Sequence, residues 1–198
     1  MVAPRTRLSV DERRHQLLEL AVDAFSHRPY DEVSIEDIAQ AAGISKGLLY
    51  HYFKGKRAFY LASLRHQAEQ LLAATDLPQP DPPGPHPELL RQAVLSYLTF
   101  VSERGPGFTF LLRGTMAGDP DVQAIVEHVR RVFASRLLEG LGRTYEDSAP
   151  PLRATLNGFV AFAERASLDW LSEPEMSKDE LADLLVSSAA VLMSVHSL

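Results

Sequence analysis

The chain contains no cysteine. That excludes a disulfide framework, a thiolate-ligated zinc site, an iron–sulfur cluster and a thiol nucleophile. Runs of about 18 apolar residues, the length needed to cross a bilayer as a helix, are missing as well. The N-terminal stretch Met-Val-Ala-Pro-Arg-Thr-Arg lacks the apolar segment of a secretory signal. These absences lead us to expect a cytoplasmic protein with no membrane association. Strand signals are also lacking: no stretch alternates polar and apolar residues, and no Asn-Gly or Asp-Gly hairpin turn is present. The longest stretch without an acidic residue is also basic. Residues 38–68 carry Lys46, Lys54, Lys56, Arg57 and Arg65 without a single carboxylate, although the formal net charge of the protein is -6. Binding a polyanion needs a favourable local field rather than a basic average.

What is present is helical punctuation. Ser9-Val-Asp-Glu12 and Ser177-Lys-Asp-Glu180 read as capping boxes, in which serine and glutamate satisfy each other's backbone N–H groups. Leu18, Ala21, Val22 and Phe25 follow the first box at helical spacing, and Arg28-Pro29 ends that helix. Short helices begin at Ser34 and Ser45, separated by Gly43, and a longer one runs from about Lys56 to Thr75. Further helices are predicted over about 87–104, 107–117, 120–142, 150–172 and 178–196, with first-turn prolines at Pro120 and Pro150. The fold class is therefore all-α, with about nine helices. We expect a helix-turn-helix domain over residues 1–54 and a larger helical domain over 55–198. The segment 78–87, Pro-Gln-Pro-Asp-Pro-Pro-Gly-Pro-His-Pro, reads as a stiff surface loop, with a proline-rich partner motif as the alternative.

Residues 34–53 carry the strongest functional signal. Two short helices meet at Ala42-Gly43-Ile44-Ser45, a glycine stop followed by a serine cap, which is helix-turn-helix punctuation. In such a unit the second helix enters the major groove of DNA. Leu49 and Phe53, four residues apart, face the core, while Lys46, Gly47 and Tyr50 share the opposite face. Lys46 can donate to guanine, Gly47 permits close approach, and Tyr50 can pack on a thymine methyl. His51, Tyr52, Lys54 and Lys56 lie within reach of phosphates, and the helix N-termini at Ser34 and Ser45 favour anions.

The run Ala-Gly-Ile-Ser-Lys-Gly-Leu-Leu-Tyr-His-Tyr-Phe-Lys-Gly-Lys-Arg-Ala-Phe, with Ser34-Ile-Glu-Asp-Ile-Ala before it, closely resembles the DNA-binding signature of the TetR/AcrR family of bacterial transcriptional regulators. The resemblance covers about residues 10–65. It implies a homodimer on a palindromic double-stranded DNA operator, and a small-molecule effector bound in the C-terminal domain that usually relieves repression. It implies base readout by Lys46, Gly47 and Tyr50. Phosphate contacts would come from Ser34, Ser45, Leu48 through its backbone, His51, Tyr52 and Lys56. Glu36 departs from members that place a basic residue nearby, and we assign it no DNA contact.

Nine aromatic residues lie between Tyr97 and Trp170. Candidate effector-lining residues are Tyr97, Phe100, Phe108, Leu112, Met116, Phe133, Phe159 and Phe162, with Arg113 and Asn157 as polar groups inside apolar runs. Such a lining suits an apolar or amphipathic molecule. Leu181, Leu184, Leu185, Ser188 and Leu192 form a stripe on the last helix, expected to pair across a two-fold axis.

No Gly-x-Ser-x-Gly, phosphate-binding glycine loop or His-Glu-x-x-His is present, so we expect neither an enzyme nor a cofactor. His15 and Glu19, four apart, are read as a solvated pair rather than metal ligands. The alternatives are a helical scaffold using the proline-rich loop and a regulator that activates.

Overall fold

The structure is a computed structural model that describes residues 9–105 and 116–196. Among the described residues there are eight α-helices, one short 3-10 turn and no strand. In chain order they are α1 (Val10–His27), the 3-10 turn (Tyr30–Glu32), α2 (Ile35–Ala41), α3 (Lys46–Tyr52), α4 (Lys56–Ala74), α5 (Pro87–Glu103), α6 (Pro120–Gly140), α7 (Pro150–Ser172) and α8 (Lys178–Ser194). The helix expected at 107–117 falls almost wholly outside the described residues.

The boundaries follow from local chemistry. Both capping boxes form: Ser9 Oγ accepts from Glu12 N while Glu12 accepts from Ser9 N, and Ser177 and Glu180 repeat the exchange. Proline opens α5 and α7, where its missing N–H costs no hydrogen bond. Arg136 closes α4, donating at 3.0 Å to the carbonyl of Leu72 and at 3.0 Å to Thr75 Oγ1. A guanidinium at that position satisfies exposed carbonyls and complements the negative end of the helix dipole.

The chain divides into two compact units, whose described residues fall within Met1–Gln67 and Pro106–Val122 for the first and Ala68–Gly105 and Gln123–Leu198 for the second. In the first, Leu17, Leu18, Ala21 and Phe25 of α1, Ile35, Ile38 and Ala39 of α2, and Leu49 of α3 are buried. Aromatic rings complete that core: Phe53 packs on Phe59 at 4.6 Å and Phe25 meets Tyr60 edge-on at 4.9 Å between centroids. Arg13 donates to the Ala42 carbonyl at 3.1 Å and so ties α1 to the end of α2.

In the second unit, α5 and α8 form the most extensive helix pair. Val94 and Leu98 pack with Leu181, Ala182 and Leu185. Arg91 pins the same pair from the rim, bonding Asp179 at 2.7 Å and Asp183 at 2.8 Å. A second cluster joins Ala134 and Leu138 of α6 to Leu152 and Leu156 of α7. The proline-rich segment sits against the end of α6, with Gly84 N donating to the Gly140 carbonyl at 2.9 Å. It is a loop seated on its own domain, as its composition suggests.

Candidate nucleic-acid interface

The turn between α2 and α3 is built by its sequence. Ser34 caps α2, its hydroxyl accepting from Asp37 N at 3.2 Å. Gly43 has φ of 68°, the left-handed region that residues with a Cβ adopt only at a cost. That reversal lets Ile44 N donate back to the Ala39 carbonyl at 3.0 Å. Ser45 then caps α3, accepting from Leu48 N at 3.1 Å. Two turns of helix follow, held to the core from one side only.

The two sides of α3 differ sharply. Leu49 is fully buried, at 0% exposure, and Phe53 just beyond the helix is buried too. Their neighbours Leu48 and Tyr50 are 42% and 37% exposed. Lys46, Gly47 and His51 are also exposed, and Tyr52 is half-buried beside His51. The outward surface therefore presents an ammonium, a glycine, a phenol and an imidazole. A Cβ built on Gly47 would have only Ser45 Oγ nearby, at 3.9 Å, so nothing among the described residues requires glycine there. A requirement for glycine at this position would have to come from a partner outside the chain.

The electrostatics add what the sequence did not show. The Lys46 ammonium is ion-paired with Glu36 and lies over the Tyr50 ring, 5.8 Å from its centroid. The hydrogen bond from Lys46 holds the Glu36 carboxyl below its ordinary range, and Glu36 in turn raises Lys46. Glu36 is thus the partner of a candidate base-reading residue. Lys56 is held at the edge of the surface, donating to the Asp31 carbonyl at 3.2 Å and lying 4.8 Å above the Tyr30 ring. Arg57, one of the five bases of the acid-free segment, is engaged elsewhere. It bonds Asp119 at 2.9 Å and Asp121 at 2.6 Å, acids 62 and 64 positions away that no local reading can find.

Residues 17–62 match the family described as bacterial regulatory proteins, tetR family, and residues 86–192 match the tetracyclin repressor-like C-terminal domain. The chain belongs to the TetR family. A TetR-family regulator from Streptomyces coelicolor is similar in structure, with 38% identity, a TM-score of 0.84, and coverage of 95% of this chain and 83% of that one. The transcriptional activator FasR of Mycolicibacterium smegmatis is 27% identical over 184 residues, 92% of this chain and 84% of its own. The transcriptional repressor KstR of Rhodococcus jostii is 29% identical over 123 residues, 62% of this chain and 56% of its own. TetR relatives of this chain thus include both activators and repressors.

The remaining candidate residues, from Tyr97 to Leu192, fall within the segment that matches the TetR C-terminal domain. Tyr97 of α5 and Phe133 of α6 come together edge-to-face at 6.0 Å. Burial pushes the Tyr97 phenol above its ordinary range, with Ser167 as hydrogen-bond partner. Phe159 is buried on α7, and Phe100 is half-buried under the Arg104 guanidinium. Met116 falls in the first unit and is half-buried there. Asn157 is exposed, exchanging hydrogen bonds with the Tyr145 hydroxyl at 3.0 and 3.3 Å, and Phe162 is exposed on the same helix. Phe108, Leu112 and Arg113 lie outside the described residues.

The sequence reading missed the polar pair inside this unit. Arg130 of α6 meets Glu164 of α7 bidentately at 2.6 and 2.8 Å, and the Glu164 charge acts on Tyr97. The signal available was a glutamate in the otherwise apolar run around Phe159–Ala163, but its partner is 34 positions away. On α8 the expected stripe divides. Leu181 and Leu185 are buried against α5 and so are already covered within the protomer. Leu184 is exposed, and Ser188 and Leu192 are half-buried. Val191 and Val195, absent from the expected stripe, are 66% and 76% exposed. Among the described residues, no helix is long and apolar enough to cross a membrane.

Proposed function

We propose that this TetR-family chain is a ligand-responsive transcriptional repressor that binds a palindromic operator as a homodimer and works in the cytoplasm. The observation that carries the proposal is the one-sided burial of α3: Leu49 is buried, whereas Lys46, Gly47, Leu48, Tyr50 and His51 face outward. Lys46, Gly47 and Tyr50 read bases. Ser34, Ser45, the Leu48 backbone, His51, Tyr52 and Lys56 hold phosphates. Two copies of α3 then lie about 34–36 Å apart, or a multiple of that, to meet successive major grooves. The exposed side of α8, with Leu184 and Val191, supplies the dimer contact together with Phe162 of α7.

The effector is a small apolar or amphipathic molecule. Tyr97 and Phe133 offer it aromatic surface, and Arg130, Glu164 and Ser167 offer polar partners. α4 is one unbroken helix from Lys56 to Ala74, beginning directly after the DNA-reading element, and transmits the change. An effector acts only through a difference in affinity between the two arrangements. A hundredfold loss of operator affinity requires about 2.7 kcal/mol of such difference.

The test is a labelled operator titrated with the protein and then with long-chain amphiphiles, read by fluorescence anisotropy. Release by an amphiphile that also raises the protein's melting temperature supports the proposal. Tight binding of an amphiphile without any change in operator affinity contradicts the mechanism. The likeness to FasR, named an activator, favours a second reading for the direction of control. A promoter reporter with and without the protein decides it: repression predicts a rise in transcription on deletion, activation a fall.

A further inference from the structure

Two histidines and a glutamate gather on the first unit, on α1 and α4. His15 and Glu19 are one helical turn apart on α1, so both project from the same side of that helix. His66 reaches them from α4, its Nε2 lying 2.6 Å from a Glu19 carboxylate oxygen. The His15 ring stands edge-on to His66, with centroids 5.1 Å apart. One ligand atom from each of the three residues lies within 4.8 Å of the others.

We propose that His15, Glu19 and His66 form a binding site for a divalent late transition-metal ion, zinc above all. The donor types set the class. Two imidazoles and one carboxylate suit zinc, nickel, cobalt or copper, whereas magnesium and calcium favour all-oxygen sets. Zinc–nitrogen and zinc–oxygen bonds of about 2.0–2.2 Å place neighbouring donors of a tetrahedral site about 3.4 Å apart. The His66–Glu19 contact at 2.6 Å opens to that distance and the longer separations, up to 4.8 Å, close to it by side-chain rotation, with His15 the residue able to move because it is exposed. His66 and Glu19 are the partly buried members and already point at one another. Three protein ligands leave a fourth position for water or an exogenous ligand. Sequence spacing alone did not reveal the site, because the third ligand comes from a helix 47 positions away from Glu19.

A bound ion would cross-link α1 to α4 and stabilise the first unit by mass action. The assignment is independent of what α3 reads, so its test needs no DNA. Full-length protein without a polyhistidine tag is stripped with a chelator and titrated with Co2+, then with Zn2+. The chain has no cysteine, so visible cobalt bands cannot arise from thiolates. The expected result is about one Co2+ per chain, displaced by Zn2+, with a rise in melting temperature on loading. His66→Gln and His15→Asn should each weaken binding by more than tenfold, beyond the loss typical of outer-shell changes at its lower end. Both should abolish the metal-induced rise. His15→Asn alters an exposed residue and keeps the test decisive even if His66→Gln misfolds. Saturation that His15→Asn leaves unchanged would overturn the proposal, as would no uptake of either ion. An equal rise with Mg2+ would overturn the imidazole assignment.

Discussion

Adjacent positions on α3 should fail in different ways. Leu49 is completely buried, and Leu49→Ala removes three carbons from a packed core. At about 0.8 kcal/mol per buried carbon group, transfer alone costs about 2.4 kcal/mol. The unfilled cavity beneath α3 adds to that, and buried leucine truncations span about 2–5 kcal/mol. Tyr50 is 37% exposed, and Tyr50→Ala removes no core contact of comparable kind. Surface substitutions of this sort stay within about 0.5 kcal/mol in stability. Loss of one base contact costs about 1–3 kcal/mol in specific binding. Paired denaturant unfolding and operator titration, the latter at a temperature where both variants are folded, separate the effects. Leu49→Ala should unfold much earlier, and Tyr50→Ala should unfold like the parent while losing sequence preference. A Tyr50→Ala protein with reduced stability and intact operator affinity would refute the assignment of faces on α3.

Other outcomes follow from the same surfaces. Glu36→Gln removes a carboxylate beside Lys46, and operator titration should show binding a few-fold tighter on every sequence; weaker binding would mean that Glu36 orients Lys46 productively. Lys56→Ala should lower affinity on all DNA and flatten the salt dependence by about one unit, whereas an unchanged slope would confine Lys56 to bracing the Asp31 carbonyl. Val191→Glu places like charges on the exposed side of α8 and should yield a folded monomer by analytical ultracentrifugation; a persisting dimer moves the interface elsewhere. Burial raises the Tyr60 phenol to about 12, against about 10 when exposed. A raised folded-state value means that the stabilisation is fully present below pH 10 and is lost as pH climbs through 12. Tyr60→Phe should therefore resist alkaline unfolding by up to about 3 kcal/mol relative to the parent, and identical alkaline curves would contradict that burial.

Much of this architecture can be read from residues that act on their neighbours. Ser9, Ser34, Ser45 and Ser177 each satisfy a backbone N–H three positions on, so the helix starts are written locally. The positive φ of Gly43 likewise marks the turn before α3. The outward face of α3 follows from the four-residue spacing of Leu49 and Phe53. What could not be read depends on distant partners. The segment 38–68 holds no acid of its own, yet Arg57 is committed to Asp119 and Asp121 and Lys46 to Glu36, all outside it. On α8 the difficulty was different. Apolar residues occupy most of its circumference, so periodicity could not say that Leu181 and Leu185 turn towards α5 while Leu184 and Val191 turn away. Arg113 and Asn157 were conspicuous as polar residues in apolar runs, but the buried-side ion pair belongs to Arg130 and Glu164. Each of those two reads as an ordinary helical charge until α6 and α7 are packed.

Selection of genomic DNA fragments by the purified protein, followed by sequencing, tests the central claim most directly. The account predicts enrichment of a palindrome whose half-sites are centred about 10–10.5 base pairs apart, or a multiple of that spacing, and loss of that enrichment with Tyr50→Ala. No enrichment at any salt concentration, from protein shown by mass spectrometry to carry no bound small molecule, would contradict it.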